Sequence, residues 1–219
     1  MILSLYTALG VEVAVQSAGT SAWAASDKGA LESTVDLLER ALAELHAGPK
    51  DVSLVGVCTG PGSFTGLRIG VAFAKSFAQA RGLPIVGVSS YDIEALGAPR
   101  GPLLAVARGK PGYYYARLSV PGDSPRFVHG DRETMEQAAR STRPVALLVG
   151  PDFTEKKAGE AALAVARLAQ QAFVRDPHRA WTDVAIDYGQ RPNAEVNWER
   201  RQARAAGGPE VLPREPKNR

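Results

Sequence analysis

Glycines 60, 62 and 66 separate an apolar run, VSLVGVC, from an amphipathic one, LRIGVAFAKSFAQARG. A strand, a glycine loop and a helix in that order can offer unpaired backbone N–H groups to an anion. The known phosphate motifs fit poorly. Counted from Gly60, the pattern G-x-x-x-x-G-K-[ST] meets Thr65 where it needs glycine, and Lys75 stands too far along to clamp a phosphate. The dinucleotide pattern G-x-G-x-x-G finds Gly60 and Gly62, but its third glycine is displaced to Gly66, and the next strand ends at Val88-Ser89 without an acid for a ribose. Ser63 or Thr65 as a nucleophile would need a base that no nearby residue supplies, and G-x-S-x-G is absent. Cys58 is the only cysteine, which excludes an intrachain disulfide and a thiolate metal cluster. Its place inside VSLVGVC predicts a buried, inert thiol. His46, His129 and His178 show no metal-ligand spacing with one another or with acids.

The elements that position this loop follow from periodicity. ILSLYT (2–7) and VEVAVQ (11–16) alternate around Ala8-Leu9-Gly10 and predict a hairpin, which Trp23 and Ala24 extend. Leu31, Val35, Leu38, Leu42 and Leu45 recur at helical steps between Lys28 and Ala47, and Gly48-Pro49 stops that helix. The loop helix runs to Gly82, and IVGVS is the next strand. Beyond Gly101, LLAVAR, GYYYARLSV and RFVHG predict three strands. Residues 131–141 predict a short helix, PVALLVG a buried strand, and 155–173 a helix rich in Ala, Leu, Glu, Lys and Gln. Both halves open with a hairpin and then add helix and strand, which indicates a duplicated α/β architecture with a reduced second copy. The predicted units are 1–100, 101–195 and a basic tail at 196–219.

The loop helix carries two apolar stripes. Gly66, Gly70, Ala74 and Ala78 form a smooth one, and Ile69, Phe73 and Phe77 a bulky one beside it. Each helical glycine costs about 0.8–1 kcal/mol relative to alanine, which close packing would offset. Either both stripes are internal core, or one faces a sheet while the smooth one admits a helix of another protein.

Composition is that of an ordinary globular chain, 45% hydrophobic and 22% charged, and no apolar run approaches a membrane span. The amino-terminal MILSLYTALG lacks a basic signal region, so a cytoplasmic location is expected. The net charge of +3 comes from the tail: 200–219 hold six Lys or Arg against two Glu, a surplus of four, so residues 1–199 sum to −1. Solvation of the tail or weak RNA contact through it are the two readings.

GPGSFTGLRIG, followed by GVAFAKSFAQARGLPIVGVSS, closely resembles the signature of the TsaB family, bacterial partners in making threonylcarbamoyladenosine on tRNA. The likeness is firmest from Asp51 to Ser90 and extends to the first hairpin, GYYYARL and IDYGQRP. It implies an actin/Hsp70-like, ribonuclease-H-like fold of two lobes, with mixed sheets flanked by helices and the second lobe reduced. It also implies a subunit without catalysis of its own, which docks on a TsaD-type enzyme, with TsaE in the wider complex and a similar surface available to a homodimer. ATP or ADP and metal are expected on the partner, and no cofactor on this chain alone; tRNA is met indirectly.

The implied partner-binding residues are Leu31, Val35, Leu38, Leu42, Gly66, Ile69, Gly70, Phe73 and Ala74, with Gly60, Pro61, Gly62, Ser63, Phe64 and Thr65 as the loop that seats them. On this expectation the smooth side of the helix is the docking face, and Gly70→Arg would block association while sparing the fold. Two departures stand out. The family's Asp-Thr pair after the first strand is here Tyr6-Thr7, and a tyrosine cannot serve as the acid that holds a phosphate-bound metal. The usual polar opening of the first helix is Gly29-Ala30-Leu31-Glu32-Ser33. The competing functions are a hydrolase or peptidase using Ser63, a residual ATPase, and a tRNA-binding module acting through the tail.

Overall fold

The computed structural model describes residues 1–155 and 157–189. The basic tail at 196–219 and the Gln190, Arg191 and Pro192 end of IDYGQRP lie outside the described residues.

The first hairpin forms as its alternation predicts. β1 (Ile2–Tyr6) and β2 (Val11–Ser17) pair antiparallel, and β3 (Thr20–Ser26) extends them. After α1 (Ala30–Glu44), β4 (Leu54–Gly60) joins β1 in parallel. α2 (Phe64–Arg81) then leads to β5 (Ile85–Ser89), giving the order β3-β2-β1-β4-β5. Leu3, Leu5, Val55 and Val57 are buried with α1 and α2 on one face, while Ile2, Tyr6, Leu54 and Cys58 are buried on the other. Cover on both faces is why β4 reads as a continuous apolar run instead of an alternating one. A short helix, α3 (Ser90–Ala95), was not predicted: six residues are too few to show a period, and the Ser89 Oγ cap on the Tyr91 N–H (3.2 Å) is its one local signal.

The second sheet holds β6 (Leu103–Arg108), β7 (Tyr114–Ser119) and β8 (Arg126–Gly130) in antiparallel succession. α4 (Arg132–Arg140) follows, and β9 (Leu147–Val149) pairs in parallel with β6. The order β8-β7-β6-β9 repeats β3-β2-β1-β4, the duplication expected of an actin-like fold, with no counterpart of β5 among the described residues.

The last helix, α5 (Glu160–Arg175), corrects the expected boundary at residue 100. It was assigned to the second unit, but Ala162, Val165, Ala166 and Ala169 pack on the first sheet beside Ile2, Leu54 and Val86. Small residues on both sides permit the contact: a Cβ at Gly56 of β4 would lie 2.8 Å from the Ala169 Cβ. Gly159 leaves the N-terminus of α5 without a local side-chain cap, and Glu12 of β2 fills that role by accepting the Ala162 N–H at 3.0 Å. The chain after α5 stays with the first sheet, where Val184 is buried in its core.

Candidate functional site: the glycine loop and the groove beside it

β4 ends at Gly60, whose φ of 102° is open chiefly to glycine, and the chain turns there towards α2. The crossing is also tight, because a Cβ on Gly60 would strike the carbonyl oxygen of Asp187. Gly62 serves differently from Gly60. It has no positive φ; instead its Cα lies against Ala8, where a Cβ would come within 2.6 Å. The Ser63 N–H donates to the Ala8 carbonyl at 2.7 Å, and Ser63 Oγ accepts the Gly66 N–H at 3.2 Å. Ser63 is therefore the N-cap of α2. These bonds engage two of the loop N–H groups that an anion cradle would require, and they employ the proposed nucleophile as a cap.

The smooth stripe of α2 faces inward, which overturns its expected role as a docking face. Gly70, Ala74 and Ala78 are buried in the first lobe. A Cβ at Gly66 would strike the Thr7 carbonyl oxygen, and one at Gly70 the Thr7 side chain. Both glycines exist to let the helix lie against the end of β1. Phe64 and Thr65, expected in the loop, instead form the first turn of α2 and are exposed.

The seam of α1 divides. Leu38 and Leu42 are buried with Leu37 and Ala41, so these two expected partner residues are core. Leu31 and Val35 are 80% and 52% exposed. At about 100° per residue the seam lies on the flank of the buried face, so the sheet covers only part of it. What emerges is an open groove of about 680 Å³ between α1 and α2, lined by Leu31, Val35, Phe64, Arg68, Ile69 and Phe73. Phe64 is 57% exposed, the Arg68 guanidinium lies 5.2 Å from its ring centre, and Tyr188 packs on it at 5.1 Å. Of the expected docking set, Leu31, Val35, Ile69 and Phe73 thus share one surface. Phe64, expected as loop, lines it from the first turn of α2, and Arg68 and Tyr188, on its lining or rim, were missed. Recognising Ser63 as an N-cap would have placed Phe64 on the helix; Tyr188 arrives only through tertiary packing.

A second concavity of about 280 Å³ lies where the two sheets meet, lined in part by Tyr6, Glu12, Glu94, Asp152 and Lys157. A nucleotide-bound metal of the kind actin-like folds imply would need free carboxylates here. Glu12 is the α5 cap, and Asp152 accepts from Arg108 (3.2 Å) and from the Tyr114 hydroxyl (2.9 Å). Among the described residues no group of three or more His, Cys, Asp or Glu could hold a metal ion. These residues do not fit a metal–phosphate site.

Burial raises the Tyr6 phenol well above its ordinary 10, and the negative potential of Cys58, Glu94 and Glu12 pushes the same way. Tyr91, Tyr113, Tyr114 and Tyr115 shift upward as well, burial again being the leading cause. The folded chain therefore holds protons that the unfolded chain releases near pH 10, so stability falls as pH rises through and beyond that value. Urea titrations from about pH 9 to about pH 11 should show a declining midpoint, and Tyr6→Phe should flatten the decline. A midpoint that stays level in the wild type would refute this.

The family model for TsaD, tRNA N6-adenosine threonylcarbamoyltransferase, matches residues 24–119. A tRNA N6-adenosine threonylcarbamoyltransferase of Thermodesulfovibrio yellowstonii is 46% identical over 57 residues, 26% of this chain and 17% of the relative. The tRNA threonylcarbamoyladenosine biosynthesis protein TsaB of Bacillus subtilis is 45% identical over 51 residues, 23% of this chain and 22% of the relative. The chain thus spans about a fifth of the length of these curated relatives. In fold it is similar to YeaZ from Pseudomonas aeruginosa, with a TM-score of 0.66 and 19% identity over 85% of this chain and 98% of that one. No helix among the described residues is long and apolar enough to cross a membrane. The chain has the actin-like, ribonuclease-H-like fold of YeaZ, and its sequence matches are consistent with the TsaB family that its glycine loop resembles.

Proposed function

We propose that this chain is a non-catalytic component of threonylcarbamoyladenosine formation on tRNA, docking on a TsaD-type enzyme through the groove between α1 and α2. The observation that carries the reading is the groove itself: Leu31, Val35 and Phe64 stand exposed beside half-buried Ile69 and Phe73, within the span that matches the TsaD model. A contiguous apolar surface of this kind is the usual mark of a protein contact. The non-catalytic part of the proposal is supported by Tyr6 in the acid position and by the commitments of Glu12 and Asp152 within the chain. ATP or ADP and metal belong, on this reading, to the enzyme, and TsaE joins the assembly there. A second copy of this chain would compete for the same groove. On this reading the chain works in the cytoplasm.

The test is to mix the full chain with a TsaD-type enzyme and measure the mass of the product and the modification of tRNA. A stable complex, with modification only when both proteins are present and no ATP turnover by this chain alone, is the expected result. Full activity of the enzyme without this chain would refute the proposal.

A further inference from the structure

The half of the second sheet that α3 leaves uncovered exposes two rings, Phe127 and His129 of β8, beside half-buried Tyr113 and above the buried rings of Tyr91 and Tyr115. On one face, Tyr115 and Arg117 of β7 stand opposite His129 and Phe127 of β8. The reverse face is core, where Tyr114, Ala116 and Leu118 are buried with Met135 of α4. Phe127 is 68% exposed although it sits within a sheet, and its ring lies 5.8 Å from Tyr91 of α3. Tyr113 continues the surface, 6.2 Å from His129 and 5.5 Å from Tyr115, to which it is edge-on. The Lys110 ammonium lies 5.6 Å from the Tyr113 ring, and the Arg117 guanidinium lies 5.6 Å from the Tyr91 ring while it bonds Asp92 at 2.7 Å. Lys110 makes no ion pair among the described residues.

Charge singles out the same segment. Residues 100–130 hold five Lys or Arg (100, 108, 110, 117 and 126) against Asp123, a surplus of four. Residues 1–99 hold six Lys or Arg against nine Asp or Glu, a deficit of three. The excess positive charge of the described chain therefore lies in this segment: Lys110 and Arg117 flank the rings, while Arg108 and Arg126 stand in register with Tyr114 and Leu118 of the reverse face.

We propose that this face of β7 and β8 is a contact surface for unpaired bases of RNA. Exposed rings on a sheet stack with bases of any sequence, and neighbouring cations neutralise the phosphates that come with them. A duplex keeps its bases stacked inside, so the surface selects single-stranded segments such as loops. The choice of RNA as the nucleic acid rests on the proposed role in tRNA modification.

The experiment uses the full chain with a fluorescein-labelled single-stranded RNA of about 15 nucleotides and, separately, the blunt duplex of the same sequence. The single strand should bind more tightly than the duplex. Phe127→Ala combined with His129→Ala should weaken single-strand binding about tenfold or more, with Phe127→Trp retaining it. Lys110→Ala should make the salt dependence shallower by about 0.7 in log–log slope. The exposure of Phe127 predicts a melting temperature close to wild type for Phe127→Ala; if that variant is unstable, the comparison of Phe127→Trp with wild type and Lys110→Ala decides. Unchanged affinity in the ring variants, equal binding of the duplex, or displacement of the RNA by poly-glutamate at equal charge would each overturn the proposal. The mass of the complex with a TsaD-type enzyme, measured on the same variants, reads the groove independently. Loss of RNA binding as the variants predict, without any enzyme complex even for wild type, would sink the function and leave this surface standing.

Discussion

Gly70→Arg should destroy the native fold instead of detaching a partner, and Gly70→Ala should already weaken it. A Cβ at this position falls on Thr7 Oγ1 and comes within 2.9 Å of Cγ2. Threonine is β-branched and short, so its side chain has little freedom to withdraw, and the clash passes to the backbone. That backbone follows β1, which is held on both sides by β2 and β4. Overpacking of this kind costs about 1–3 kcal/mol, against a gain of about 1 kcal/mol in helix propensity from replacing glycine. The expected net for Gly70→Ala is a loss of up to about 2 kcal/mol. Arginine adds a buried charge without a partner, and its penalty of several kcal/mol rivals the roughly 5–15 kcal/mol that holds an ordinary domain together. Urea titration of Gly70→Ala, and of Gly70→Ala with Thr7→Ala, measures the clash directly: the second change should restore part of the loss. A fully folded Gly70→Arg protein would show that the smooth side of α2 is free after all.

The second large effect lies on the opposite side of the helix. Leu31→Glu with Phe64→Glu should abolish binding to a TsaD-type enzyme, by more than about a hundredfold, while the melting temperature stays near wild type. Both side chains are more than half exposed, so the fold loses little when they become polar. In the complex each would place a carboxylate in an apolar contact, and losses of about 2 kcal/mol or more are usual for a central aromatic anchor. Leu38→Ala is the control, since Leu38 is core: it should lower stability by about 2–5 kcal/mol and leave the affinity of the folded fraction intact. Calorimetry or mass measurement on the three variants separates a docking surface from a packing surface. Equal affinity for the double variant and wild type would remove the groove from the interface.

The strands and long helices were legible because their signals are local. ILSLY and VEVAVQS alternate, the α1 leucines recur at helical steps, and Gly82 closes α2 in the left-handed conformation that glycine favours. The repeat of strand order between the two sheets was also foreshadowed by the order of elements along the chain. The boundary at residue 100 was not, because α5 is helical by composition wherever it packs, and only the small residues at Gly56 and Ala169 admit it to the first sheet.

The candidate site divides along the same line. From residue types alone came the place of the turn, the glycine at Gly60 and the apolar content of both helices. Which stripe of α2 looks outward could not come from there, because both stripes are apolar and spaced to suit a helix. The choice was made by how closely the end of β1 approaches: Thr7 leaves no room for a Cβ at Gly66 or Gly70, so the small residues turn in and Phe64, Ile69 and Phe73 are left towards α1. A short-range period reports that a face will be buried; the shape of a distant strand decides which one.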